Sequence, residues 1–336
     1  MKNKIFTVLI FSVMFFASPF YAQENNGNLQ ENNSQTEENL FKLNISSDFG
    51  YYPLSEMLPG KNHFAPVTGP YGGVDLSTTI TGSYKIKTPL GQNILLSYAN
   101  VLLSGGLEIS PVSIRPKVTV DFSPIPLIIF SAGASFGWGW DLGNIQSLGK
   151  LNTVSYEYDK LNGFSHPYYD LWAGITLQFD TGILFPGDWT HIVFVVSYQT
   201  VYSGLIGLSD NDIFMWQCSG CKARGAAYQF QAAVAYQMPL PLCFAGFMFK
   251  SAGYYDGSIY GGFDSTFDGD FAEITISPAL KFQFGKKDDL TCLFDFSSRR
   301  SFESKINDTK DLLNTKVTGR EWYFKRISVN WTHWFF

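Results

Sequence analysis

The sequence predicts an all-β fold, a closed antiparallel transmembrane β-barrel of about 12 strands. Apolar residues make up 45% of the 336-residue chain, and Phe, Tyr and Trp make up 17%. Even so, no apolar run after residue 40 approaches the roughly 20 residues that a membrane-spanning helix needs. Apolar and polar residues instead alternate over segments longer than the ~5–6 residues of a typical soluble strand, and long enough for the ~9–11 of a spanning strand. Short and long connections between these segments also alternate, as they do in barrels.

Residues 112–122 illustrate the alternation. Arg115 and Lys117 lie on a polar face, and the intervening positions form an apolar face. The same two-residue period runs through 169–180 and 272–284. Because successive side chains of a strand point to opposite faces, each segment offers one face to lipid and one to water. A sheet within lipid tolerates no unpaired edge, so these strands are expected to close into a barrel.

Reading along the chain gives an even number of strands, which places both chain ends on the same side of the membrane. Ten or fourteen strands are the alternatives to twelve. The predicted strands are 41–51, 73–86, 93–103, 107–122, 127–139, 168–181, 190–203, 226–238, 241–254, 271–284, 290–300 and 319–336.

The connections divide into short periplasmic turns and long outer loops if the N-terminus is periplasmic. The predicted turns are 87–92, 123–126, 182–189, 239–240 and 285–289, and the predicted outer loops are 52–72, 104–106, 140–167, 204–225, 255–270 and 301–318. Only the loop at Ser104-Gly105-Gly106 is short. An aromatic girdle is expected near the strand ends, from Trp138, Trp140, Tyr168, Tyr202, Tyr228, Tyr254, Trp322 and Trp334.

The chain closes on an aromatic run, residues 331–336. With Phe336 at the terminus and Trp334 two residues before it, this end resembles that of bacterial outer-membrane β-barrel proteins, as does the strand pattern of nearly the whole chain. The resemblance makes Trp334 and Phe336 an assembly signal read by the barrel-insertion machinery, with periplasmic chaperones and outer-membrane lipids as further partners. Upstream of Trp334 the apolar residues have the other parity, so a bulge near His333 or an atypical ending is expected.

The N-terminus has the pattern of a signal peptide over residues 1–22. Lys2 and Lys4 precede an apolar core, and Ala22 offers a cleavage site. Residues 23–40 contain four glutamates and almost no apolar side chain, which is typical of a disordered acidic tail in the periplasm; a small plug is the alternative. The barrel then occupies 41–336. Cleavage leaves 22 basic against 29 acidic residues, a net charge of −7, so nothing points to nucleic acid.

Cysteine and histidine carry few signs of chemistry. Cys218 and Cys221 fall in a predicted outer loop, where a loop-closing disulfide is the preferred interpretation over a redox or zinc site. His166 and Asp170 are the one pair that the sequence offers for activating water. No local motif of a barrel enzyme is visible, so the sequence predicts no enzyme activity, no cofactor and no metal site.

The inward-facing positions are polar and nearly balanced in charge. The candidate lumen residues are Arg115, Lys117, Asp121, Asp170, Lys281, Asp295 and Arg326. A 12-stranded barrel lies between the filled ~8-stranded kind and the open ~16-stranded kind. The leading functional expectation is therefore a narrow, porin-like passive channel for ions or small polar solutes. The alternative is a non-conducting barrel that displays surface loops for adhesion or anchoring, and an outer-membrane enzyme or a hydrophobic-solute transporter are lesser ones.

Overall fold

The computed structural model describes residues 40–93, 96–185, 191–307 and 309–336. The signal peptide predicted over 1–22 and all but the last residue of the tail predicted over 23–40 lie outside these residues. Within them the chain is almost entirely β, with two short α-helices, α1 (Asp264–Phe267) and α2 (Thr309–Asn314). No helix in the described ranges is both long and apolar enough to cross a membrane.

Twelve long strands form the wall of a closed antiparallel barrel. Each pairs with its neighbour in the chain order of long strands, and the ring closes where the first pairs with the last, from Asn44 opposite Trp334 to Tyr51 opposite Ile327. The predicted fold class and strand number are thus confirmed. The wall strands are β1 (Phe41–Leu54), β3 (Gly69–Lys87), β4 (Asn100–Ser110), β5 (Ser113–Ile125), β6 (Ile128–Gly139), β9 (Tyr168–Asp180), β10 (Ile192–Leu205), β13 (Gly225–Gln237), β14 (Leu242–Tyr254), β15 (Glu273–Phe284), β16 (Asp288–Phe302) and β17 (Val317–Trp334).

The outside of the wall is apolar. Val118, Val120 and Leu171 alternate with buried or half-buried polar residues and remain 46–59% exposed. Such a surface would be costly in water and is suited to a hydrocarbon environment. Phe194 on β10 and Phe247 on β14 are exposed in the same way.

Connections at the two ends of the barrel differ in length, as the sequence predicts. We call the ends the turn end and the loop end. The turn end has connections 88–99, 126–127, 181–191, 238–241 and 285–287, and both ends of the described wall lie there. The loop end has 55–68, 111–112, 140–167, 206–224, 255–272 and 303–316.

The predicted loop at 104–106 is wrong. Gly105 and Gly106 lie inside β4, and the hairpin instead turns at Pro111 and Val112. A glycine pair is a turn signal in sequence, but proline is also favoured in tight turns, as the first of the two central residues. Gly106 leaves room for the side chain of Lys117, its paired residue on β5, since a Cβ there would lie 3.2 Å from Lys117 Cε.

Of the two expected endings of β17, a bulge near His333 or an atypical apolar pattern, the structure has the atypical pattern. Pairing continues in register past His333, and the register shift lies higher up, between Phe324 and Arg326. Trp334 donates from its indole nitrogen to Asp289 at 3.4 Å, and the rings of Phe336 and Phe41 are in tilted contact with centroids 5.8 Å apart. The bulge puts the neighbouring bases Lys325 and Arg326 together inside the barrel.

The long loops contain a second sheet of four short strands. These are β7 (Leu148–Leu151), β8 (Tyr158–Lys160), β11 (Phe214–Trp216) and β12 (Ser219–Lys222), paired in the order β12-β11-β7-β8. The remaining strand, β2 (His63–Phe64), runs parallel to the loop end of β17 and extends the wall where β1 has ended. We call the second sheet, together with the loop segments packed on it, the cap.

Candidate functional site

The lumen contains a cluster of charged side chains from the wall strands β4, β5 and β9. Arg115 lies 2.8 Å from Glu108 and 3.4 Å from Asp170. Lys117 lies 3.7 Å from Glu108, and Ser135 donates to Asp170 at 2.6 Å. The predicted lumen residues Arg115, Lys117 and Asp170 therefore lie together, and the positive charges of the two bases are compensated by Glu108 and Asp170.

Glu108 is the member of this cluster that the sequence reasoning missed. With the turn placed at 104–106, Glu108 was assigned to the strand of Arg115, where its parity put it outside. The true turn at 111–112 separates the two residues onto paired strands, with Glu108 directly opposite Arg115. Directly opposed unlike charges on a shared face were the signal that was available.

A second charged cluster lies on the adjoining part of the wall, on β16, β17, β1 and β3. Arg326 contacts Asp295 at 2.6 Å and Asp75 at 3.7 Å. Asp295 also accepts a hydrogen bond from Ser277 at 2.5 Å, and Tyr52 donates to Asp75 at 2.7 Å. Arg326 and Asp295 were both predicted as lumen residues, and they form a buried pair.

The other two predicted lumen residues lie apart from these clusters. Asp121 accepts a hydrogen bond from Ser131 at 2.6 Å, and Lys281 lies 3.4 Å from Asp289 near the turn end. All seven side chains thus lie on the inner face, and their contacts are with neighbouring strands. A role of any of them in selecting ions stays a prediction.

The cap enters the loop end of the barrel through Trp216. Its indole stacks on Tyr168 with ring centroids 4.9 Å apart and planes 10° apart. A Cβ at Gly137 or at Gly139 would lie 3.0 Å from the same indole ring. The inner face of β6 therefore has glycine where the indole lies, and Trp216 is only 2% exposed. Tyr168, predicted for the aromatic girdle, instead faces this interior.

Hydrogen bonds connect the cap to the wall beside this ring. The Gln217 amide donates to Ser113 Oγ at 2.7 Å and hydrogen-bonds Glu108 of the charged cluster. Ser147 donates to the carbonyl of Val112 at 3.2 Å. The cap is thus attached both to the top of the β4–β5 hairpin and to the charges below it.

Behind Trp216 the cap has an apolar core of its own. Leu148, Leu205 and Phe214 are at most 1% exposed and form one buried group with Tyr168 and Trp216. A larger group joins all the long loops, from buried residues Leu151, Ile213, Ala223, Ile259, Tyr260, Phe267, Phe302 and Leu313. Tyr254, also predicted for the girdle, packs against this second group. The loop end is therefore filled by a folded unit with a core.

Lys222 is a charged residue of the cap that interacts electrostatically with the lumen charges. It stands in β12, half-buried, within the influence of Arg115, Asp170 and Glu273. Burial, reinforced by the positive charge of Arg115, lowers the pKa of Lys222 to about 8. A lysine with that pKa changes charge near neutral pH, inside the contact between cap and wall.

Cys218 and Cys221 are free thiols in the structure, and the disulfide expected between them stays a prediction. Cys221 packs against the larger apolar group. The Tyr158 hydroxyl donates to its Sγ at 3.6 Å. Burial raises the pKa of both thiols, that of Cys218 to about 11. The two side chains thus have separate environments, and neither is activated as a thiolate.

The histidine and carboxylate that the sequence offered for activating water do not meet. His166 Nδ1 contacts the carbonyl of Ile206 at 3.0 Å, whereas Asp170 is engaged by Arg115 and Ser135 in the lumen. In the parts of the chain that the structure describes, no group of three or more His, Cys, Asp or Glu side chains is placed to hold a metal ion.

Closure, strand number and an apolar exterior around a polar interior define the class of protein: a bacterial outer-membrane β-barrel protein. Similar solved structures include an outer membrane channel from Pseudomonas putida F1 (12% identity, TM-score 0.40, 92% of this chain and 100% of that one). The KdgM porin is similar at 8% identity and TM-score 0.35, over 86% and 98% of the two chains. The transport unit of the autotransporter AIDA-I from Escherichia coli is similar at 8% identity and TM-score 0.37, over 92% and 93%.

The names of these similar structures describe a channel, a porin and an autotransporter unit. Structural similarity at such low sequence identity assigns no activity to the chain. No family model matches the sequence, and no curated protein matches it.

Proposed function

We propose that this protein is a closed outer-membrane barrel that holds a folded cap at the cell surface, where the cap serves in recognition. The observation that carries the proposal is the position of Trp216, seated in the lumen against Tyr168 and the glycines of β6. A loop that only covered a pore would not require glycines in the wall at the point of contact. Here the glycines of β6 leave the space that the Trp216 ring occupies.

The energetics of the cap favour the closed state. Burying one large apolar side chain contributes roughly 1.5–3 kcal/mol, and the two apolar groups of the cap contain many such side chains. Withdrawing Trp216 would also leave the Gln217 and Ser113 hydrogen bond unmade. A cap held in this way is expected to stay in place at equilibrium.

The porin-like channel expected from the sequence is the second candidate. It is favoured by the polar lumen beneath the cap. There Asp121 and Lys281 lie apart from the two charged clusters, with Ser131 and Asp289 as their respective partners. Conduction requires the cap to leave, and the pairing of Arg115 and Lys117 with Glu108 narrows the passage further. Changing both bases to Glu, which would test ion selectivity, would place four acids together with Glu108 and Asp170 and threaten the fold. Conductance itself is therefore the better measure.

Localisation in the outer membrane follows from the class of barrel, and the direction of insertion is part of the proposal. The loop end faces outward if the N-terminus is periplasmic. Export by residues 1–22, delivery by periplasmic chaperones and recognition of Trp334 and Phe336 by the insertion machinery accompany that orientation as predictions.

Labelling of intact cells tests the orientation. Val154, between β7 and β8, is 87% exposed, and Leu240 at the turn end is 61% exposed. With a membrane-impermeant maleimide, Val154→Cys should be labelled in whole cells and Leu240→Cys only after lysis. The wild type, whose own thiols are buried or half-buried, provides the blank. Labelling of Leu240→Cys but not Val154→Cys in whole cells would reverse the proposed direction.

A further inference from the structure

A cleft in the cap has the size and the walls of a small binding site. It has a volume of about 300 Å³ and lies where the loop that carries β7 and β8 meets the loop that carries β11. Its lining residues include Lys150, Asn152, Asp159, Asn211, Asp212 and Phe263. Sites for small ligands begin at about this volume and combine an apolar surface with a few fixed polar groups.

The polar groups of the cleft are held in place by their own partners. Asp212 accepts hydrogen bonds from the amide of Ser209 at 2.8 Å and from Lys150 at 2.9 Å. Asn152 donates to Asp159 Oδ2 at 3.0 Å and, through its carbonyl, accepts from the amide of Val154 at 2.9 Å. Side chains fixed in this way lose little conformational entropy when a ligand binds.

The other wall is apolar and contains an aromatic ring. Phe263 is half-buried, and the ring of Tyr156 contacts it edge-on with centroids 5.9 Å apart. Leu151 and Ile213 lie behind it, each 3% exposed. An aromatic ring that lines the same cleft as carboxylate and amide groups suits a ligand that has one C–H face and a rim of hydroxyls.

The charge of the cleft narrows the class of ligand. Lys150 is paired with Asp212, which leaves the negative charge of Asp159 uncompensated by a base within the cleft. An anion would be repelled at that point, whereas neutral hydroxyls can donate to carboxylate oxygens and accept from the Lys150 ammonium.

We propose that this cleft binds a neutral saccharide, with the sugar ring against Phe263 and its hydroxyls on Asp159, Asp212 and Asn152. The inference deepens the proposed recognition function and rests on the cap being folded. It does not require the lumen to be closed, so the binding experiment and the conductance experiment fail independently.

The test is titration calorimetry on the refolded full chain in an amine-oxide detergent, because glycoside detergents would themselves supply the ligand. The probes are glucose, galactose and mannose, with glucuronate as an anionic comparison and calcium chloride as a cation comparison. At least one neutral hexose should bind, and glucuronate should bind more weakly than the corresponding neutral sugar.

Two variants localise the binding. Removing one charged hydrogen-bond partner weakens an interaction by about tenfold or more, so Asp159→Ala should weaken hexose binding by that factor. Asp210→Ala is the matched control, since Asp210 is 82% exposed and pairs with Arg224 outside the cleft lining; binding should be unchanged. Phe263→Leu keeps an apolar side chain but removes the aromatic ring, and it should also weaken binding.

Three results would overturn the proposal. One is the absence of heat with every neutral hexose, and another is equal binding by the wild type and Asp159→Ala. Calcium binding in place of sugar binding would assign the carboxylates to a cation instead.

Discussion

The wall and the cap of this protein bury opposite kinds of side chain. In the wall, valine, leucine and phenylalanine face outward, and charged pairs such as Arg326 with Asp295 fill the inside. In the cap, Leu148 and Phe214 form an inner core, and Lys160 is exposed at the surface. The difference follows from the surroundings of each region. The wall places apolar side chains outside because it faces hydrocarbon, and the cap places them inside because it faces water.

The comparison also separates what sequence can reveal from what it cannot. The wall follows a strict two-residue period, so its twelve strands and inward residues such as Arg115 and Asp295 could be predicted. The cap strands have three or four residues each and show no sustained period, so the sequence predicts loops where β7 and β11 form.

One sign of the cap was present in the sequence. Inward positions on β6 are occupied by Gly133, Gly137 and Gly139. Alternate glycines in a strand indicate that something large comes close, and in the structure the large groups are Trp172 and Trp216. Their partners could not be named in advance, because Trp216 lies 77 residues from Gly139 and no local rule connects the two.

The wall should be most sensitive to loss of one member of a buried charge pair. We expect Arg326→Met to destabilise the barrel by about 3–5 kcal/mol, since it leaves Asp295 buried without its partner. Adding Asp295→Leu should recover a large part of that loss. Urea unfolding followed by the heat-dependent gel shift of the barrel measures both. An Arg326→Met barrel as stable as the wild type would mean that the lumen is hydrated enough to solvate a lone carboxylate.

The cap should be most sensitive to loss of apolar volume. Phe214→Ala is expected to destabilise the cap by about 3–5 kcal/mol, because Phe214 is 1% exposed. Limited proteolysis should then cut within 206–224 while the barrel still resists unfolding. Val196→Ala, on the outward face of β10, is the control and should leave cleavage unchanged. Equal protease resistance of Phe214→Ala and the wild type would argue against a cap with its own core.

The contact between the two regions should depend on pH through Lys222. Its pKa in the folded state, about 8, lies below its ordinary value of 10.5. Stability from this group is therefore fully present above about pH 10.5 and is lost as the pH falls through about 8. We expect protease cleavage of the cap to increase from pH 9 to pH 7 in the wild type and to change less in Lys222→Met. Identical pH profiles for the two proteins would remove Lys222 from the contact.

The smallest expected effect concerns Cys218. Burial raises the pKa of this thiol from an ordinary 9.0 to about 11, and only the thiolate reacts with iodoacetamide. Its alkylation rate should keep rising with pH beyond 9 and level off only near 11, provided that the cap stays folded. In Phe214→Ala the rate should level off near the ordinary value. A wild-type profile that levels off near 9 would place Cys218 in water.

Single-channel recording of the refolded protein tests the central claim, that the cap closes the barrel, most directly. We expect no stable conductance steps from the wild type. In Gly137→Leu with Gly139→Leu, new side chains occupy the space of the Trp216 ring, and intermittent openings should appear. Gly105→Leu is the matched control, because a Cβ at Gly105 has nothing within 4 Å, and it should be as silent as the wild type. Stable wild-type steps, equal in size to those of the double variant, would contradict the closed barrel and restore the channel.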